Sequence, residues 1–131
     1  MELLNYIRSG QIAPIKQLLA KHPELADTPD ERGFTPLVLA TYLGQKEIAE
    51  LLIDHGAKID AQDALGNTAL MGVCFKGSYD LAEMLVSKGA NIHLINKEGM
   101  NAFSFAQKHG QEAIANLLKD ASLKTPEANM S

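Results

Sequence analysis

Gly33, Gly66 and Gly99 stand 33 residues apart, and other columns keep the same step: Gly44, Gly77 and Gly110, then Gly56 and Gly89, then the apolar Ile48, Leu81 and Ile114. A period of this length is one small supersecondary unit, too thin to bury its own apolar face. Successive units must therefore stack and share a continuous core. The chain, 131 residues long, suits a single array of this kind. Its function then depends on surface, not on an enclosed pocket.

Each copy opens with a turn: Asp30-Glu31-Arg32-Gly33, Asp63-Ala64-Leu65-Gly66 and Asn96-Lys97-Glu98-Gly99. Asp or Asn ahead of a glycine that can take positive φ is hairpin-turn chemistry. Thr35-Pro36-Leu37 and Thr68-Ala69-Leu70 then place a hydroxyl at an N-cap, with Pro36 at the first helical position, where its missing N–H costs nothing. The helix begun there should stop near Gly44, Gly77 and Gly110, which suit the left-handed residue past a helix C-terminus. A second helix follows, through Glu47-Ile48-Ala49-Glu50-Leu51-Leu52 and its equivalents around Leu81 and Ile114, with apolar residues at helical spacing. Ala40, Ala49, Ala82, Ala106 and Ala115 fall where neighbouring helices approach closely.

The period divides 1–120 into an N-terminal capping unit over 1–29, repeats over 30–62 and 63–95, and a C-terminal capping repeat over 96–120, with a flexible tail over 121–131. In the first unit Ile15, Leu18 and Leu19 lie one period before Ile48, Leu51 and Leu52, but Gly10 is one residue off register. Helices over 2–9 and 13–21 are expected there, with His22-Pro23-Glu24 breaking the chain. Terminal repeats are commonly atypical because one face meets water.

These columns resemble the ankyrin repeat. The first full repeat carries its Asp30, Gly33, Thr35-Pro36-Leu37, Ala40, Gly44, Glu47-Ile48, Leu51-Leu52-Ile53 and Gly56-Ala57, and the second its Asp63, Gly66, Thr68, Leu70, Gly77, Asp80-Leu81, Leu85 and Gly89-Ala90-Asn91-Ile92. The resemblance covers about 1–120 and implies an all-α solenoid of about four helix–turn–helix units. The steps Met71-Gly72 and Phe75-Lys76-Gly77 resemble small stand-alone bacterial members. Val38, Met71 and Ser104 replace the histidine of the family's T-P-L-H stretch, so its polar ties between turns are expected to be missing. Gly72, inside a helix, should weaken that helix by up to about 1 kcal/mol relative to Ala, and either a neighbouring side chain such as Met71 or Phe103 fills the space or a dent faces the partner.

Catalytic chemistry is not indicated. His22, His55, His93 and His109 fall in different units, and the one cysteine, Cys74, has no partner for a thiolate site or an internal disulfide. Asp54, Asp60 and Asp63 lack the alternating ligands of a calcium loop. The glycines never form a phosphate-cradling run, and Ser78, Ser87 and Ser104 occupy ordinary repeat positions. No catalytic residue, metal or cofactor is expected. A net charge of −4 gives no hold on a nucleic-acid backbone, and no apolar run reaches membrane-spanning length. The absence of a signal sequence and the lone cysteine point to the cytoplasm.

What the family resemblance implies is recognition on a concave face built from hairpin tips and the exposed side of each first helix. Carried over by position, the partner-binding residues are Arg32, Phe34, Tyr42, Leu43, Leu65, Asn67, Phe75, Lys76, Met100, Lys108 and His109. Exposed contiguous apolar area marks contact sites, and aromatic anchors are the usual hot spots. The expected function is a non-enzymatic adaptor or inhibitor gripping an unknown protein partner, acting as a monomer. The alternatives are a self-associating module that forms a homodimer through this face, and an accessory protein guarding an enzyme. Tyr42 and Phe75 could instead fold back and extend the core.

Overall fold

The computed structural model describes residues 2–124. Among them are eight α-helices and no strand. The helices are α1 (Glu2–Arg8), α2 (Ile12–Lys21), α3 (Pro36–Tyr42), α4 (Lys46–Asp54), α5 (Ala69–Lys76), α6 (Tyr79–Ser87), α7 (Ala102–Lys108) and α8 (Glu112–Lys124), with a 3-10 helix over Pro23–Asp27 between α2 and α3. They form four antiparallel hairpins stacked in order. α1, α3, α5 and α7 contact one another in sequence as an inner layer, and α4, α6 and α8 do so as an outer one. The result is an all-α solenoid of helix–turn–helix units.

The period that sets the glycines also sets the core. Ile15 and Leu19 on α2, Ile48 and Leu52 on α4, Leu81 and Leu85 on α6, and Ile114 and Leu118 on α8 repeat at the same step, all at most 3% exposed. Each buried side chain of this size stabilises by about 1.5–3 kcal/mol. Ala40, Ala49, Ala82 and Ala106 are fully buried and let the helices approach, while Cys74 is core filler at 0% exposure.

Local chemistry closes each unit as the sequence implies. The Thr35 Oγ1 accepts from the Val38 N–H at 3.2 Å and the Thr68 Oγ1 from the Met71 N–H at 3.2 Å. In the third copy Asn101 Oδ1 does the same for the Ser104 N–H at 2.9 Å. Asp30 Oδ1 accepts from the N–H of Arg32 and of Phe34, Asp63 Oδ1 from Leu65 and Asn67, and Asn96 Oδ1 from Glu98 and Met100. A short carboxyl or amide two residues behind a turn thus fixes every tip.

The structure departs from the sequence expectations in three places, and at Gly72 it shows one of the two expected outcomes. The break after α2 is itself helical, Pro23–Asp27. The last helix runs to Lys124, past the boundary expected at 120, because Ser122 stands one period after Gly89 and no glycine stops it. The remainder of the expected tail, 125–131, lies outside the described residues. Ties between turns are present despite the missing histidines: Asn96 Nδ2 donates to Asn67 Oδ1 at 2.9 Å, Gln62 Nε2 to the carbonyls of Gly66 and Ile95, and Lys97 N–H to the Leu65 carbonyl. At Gly72 an added β-carbon would meet nothing within 4 Å outside its two chain neighbours; Phe103 does not fill the space, and a dent lined by Val38, Tyr42, Val73 and Lys76 opens there.

Candidate functional site

The inner helices all end on one edge, and the residues at those ends form two columns a period apart: Tyr42, Phe75 and Lys108, then Leu43, Lys76 and His109. Tyr42 is 63% exposed, Phe75 55% and Leu43 43%. Neither Tyr42 nor Phe75 folds back into the core. Contacts across the columns run diagonally. The Lys76 ammonium lies 4.1 Å from the centre of the Tyr42 ring and donates to the Tyr42 carbonyl at 2.7 Å. One unit on, the His109 ring meets Phe75 edge-on at 4.6 Å and lies parallel to Phe105 at 6.3 Å. Cations set over ring faces in this way contribute about 0.5–1 kcal/mol at exposed sites. They hold long side chains in place on the surface.

At the first unit the same edge widens into a groove between α1 and α3. Its walls are Phe34, Val38, Leu39, Tyr42 and Leu43, and its rim carries Arg8, Arg32 and Asp30. The Arg32 guanidinium lies 5.0 Å over the Phe34 ring, with one nitrogen 3.5 Å from Asp30 Oδ2. Backbone hydrogen bonds from Phe34 and Arg32, with the neighbouring guanidinium, hold the Asp30 carboxyl below the usual carboxylate range against the opposing effect of burial.

Of the residues expected at the face, Arg32, Phe34, Tyr42 and Leu43 meet in this groove, Tyr42, Leu43 and Lys76 line a second depression toward α5 and Leu81, and Phe75 pairs with His109. Lys108 is exposed beside them. The tip residues are placed differently. Leu65 is 63% exposed, but Asn67 and Met100 are half-buried, and Asn67 is engaged in holding one tip against the next. Arg8, Val38 and Leu39 were not anticipated. Arg8 belongs to the degenerate first unit, where the inserted residue hides its register, although a basic residue in the last turn of α1 matches Lys76 and Lys108 at the ends of α5 and α7.

α3, α5 and α7 contain no carboxylate, and their charged residues are Lys76 and Lys108, although the whole chain carries −4. Acidic residues such as Glu47, Glu50, Asp80, Glu83 and Glu112 sit on the outer helices. Burial pushes the Cys74 thiol up to about 12. Among the described residues no group of three or more His, Cys, Asp or Glu side chains is arranged to hold a metal ion, and no helix is long and apolar enough to cross a membrane.

A family model described as ankyrin repeats (3 copies) matches residues 3–63 and 60–128. No curated protein matches the chain.

Proposed function

The chain belongs to the ankyrin-repeat family, and from that premise we propose that it is a non-enzymatic adaptor or inhibitor that holds a protein partner on its inner, concave face. Repeats of this family generally mediate protein–protein interaction and are typically without catalytic activity. The observation that carries the reading is the edge formed by Tyr42, Leu43 and Phe75, all more than two-fifths exposed and braced by Lys76 and His109. Large rings held in fixed positions lose little entropy when a partner covers them, which is why such groups dominate binding energy. The partner-binding set we propose is Arg32, Phe34, Tyr42, Leu43, Leu65, Phe75, Lys76, Lys108 and His109, with Asn67 and Met100 supporting the tips. We read 1–29 and 96–120 as the capping units of the array, and the chain as a cytoplasmic monomer. The unpaired, fully buried Cys74 supports a reducing compartment.

Affinity capture from native lysate tests the reading. The unaltered chain should retain a partner that a folded Tyr42→Glu/Phe75→Glu variant loses. Retention of the same partner by that variant would rule out this face.

A further inference from the structure

We propose that the groove between α1 and α3 receives a large apolar side chain of the partner with a carboxylate beside it, the ring or aliphatic group seated on Phe34 and Tyr42 and the carboxylate held by Arg8 and Arg32. This rests on the protein-binding reading of the same face and names the chemistry of what it binds.

The groove encloses about 390 Å³, room for one Phe or Leu side chain. Its five wall residues, Phe34, Val38, Leu39, Tyr42 and Leu43, are all uncharged, so charge enters only at the rim. There two guanidinium groups face one carboxylate. That carboxylate, Asp30, is occupied: its Oδ1 accepts two backbone N–H groups of its own turn. Arg32 stands over the Phe34 ring at 5.0 Å and reaches Asp30 at only 3.5 Å. Arg8 has a single 3.3 Å contact with Asn5 Oδ1 on its own helix. Most N–H donors of both arginines therefore face solvent, in the planar fork that matches a carboxylate. Glu31 lines an adjoining groove together with Arg8, Asp30 and Arg32, but it forms no ion pair with either arginine, whose one salt-bridge partner among the described residues is Asp30. Lys76 lies over Tyr42 from the α5 side and lines a separate depression there, outside this groove. An acidic–apolar segment is complementary to this rim, and a basic one is repelled by it. Two cations on a chain of charge −4 are too few to hold a phosphate backbone.

The test uses the full chain and three probes of one shape: 3-phenylpropionate, its neutral amide 3-phenylpropanamide, and the cation 3-phenylpropylammonium, each titrated to about 20 mM and followed by ¹H–¹⁵N amide shifts. The carboxylate should shift Phe34, Val38 and Tyr42 and bind about fivefold tighter than the amide, with the ammonium weakest. The Arg8→Gln/Arg32→Gln variant should bind acid and amide equally while keeping the ring site. Should that variant not fold, Arg8→Gln alone should still lower the preference.

Equal affinity for acid and amide, tighter binding of the ammonium, shifts confined to α5–α7, no binding of any probe, or displacement of the probe by a single-stranded oligonucleotide would each overturn the proposal. If it fails while partner capture still depends on Tyr42 and Phe75, only the groove chemistry is wrong. If the probes behave as expected and no protein is captured, the partner-binding reading is what fails.

Discussion

The Cα of Asn96 lies directly against Gly66: a β-carbon at Gly66 would stand 2.9 Å from it and 3.0 Å from the Lys97 nitrogen. The second and third hairpin tips are thus stacked backbone on backbone, clasped by Lys97 N–H to the Leu65 carbonyl at 3.0 Å and by the Asn96–Asn67 amide pair at 2.9 Å. Gly33 and Gly99 occupy the same turn position at similar positive φ, yet open space surrounds the place a β-carbon would take. The three glycines therefore separate two costs. Gly33→Ala and Gly99→Ala should each destabilise by about 1–2 kcal/mol, the left-handed penalty alone. Gly66→Ala should cost about 2–4 kcal/mol, because the tips must also part and loosen their hydrogen bonds. Urea unfolding midpoints check the ranking.

Acid should act on the first tip and spare the third. With its folded-state pKa depressed, chiefly by the Phe34 backbone hydrogen bond, Asp30 stabilises the fold above the unfolded carboxyl pKa of about 3.9, and that contribution is lost as pH falls through the lower folded value. Asn96 performs the same turn with a neutral amide. The stability gap between the natural chain and Asp30→Asn, measured by urea unfolding, should be present near neutral pH and shrink below about pH 4. A gap that is constant with pH would contradict the assignment.

Cys74 should be silent until the chain opens. A thiol pushed up to about 12 by full burial offers almost no thiolate near neutral pH. Reaction with a disulfide reagent should therefore be slow in the native state and complete on unfolding, with rates that track the urea-dependent opening equilibrium.

Truncating the exposed rings should cost little stability. Tyr42→Ala and Phe75→Ala remove side chains more than half exposed, so each should shift stability by less than about 1 kcal/mol. Leu85→Ala, at 0% exposure, should cost about 2–5 kcal/mol. Thermal denaturation of the three variants tests this, and a large loss at Phe75 would place it in the core after all.

The architecture was legible in the chain because each glycine column marks a conformational requirement and each apolar column a buried stripe, both at one step. Ile15, Ile48, Leu81 and Ile114 could be assigned to the core on spacing alone. What the step could not show is how one unit is staggered against the next. Lys76 meets Tyr42, and His109 meets Phe75, one residue beyond the period, so alignment into columns places these partners side by side without pairing them. Asn67 and Asn96 read as turn residues; that they clasp two tips depends on backbone approach at Gly66. Arg8 was hidden by the residue inserted between Gly10 and Ile15, and the length of α8 by Ser122 standing where a glycine would have ended it.

Site-directed photo-crosslinking tests the central claim most directly. A benzophenone amino acid placed at Phe75, on the inner edge, should cross-link the captured partner, whereas the same group at Glu83, on the exposed outer helix α6, should not. Adducts formed from Glu83 and absent from Phe75 would show that the partner binds the convex side, and the concave docking face would have to be abandoned.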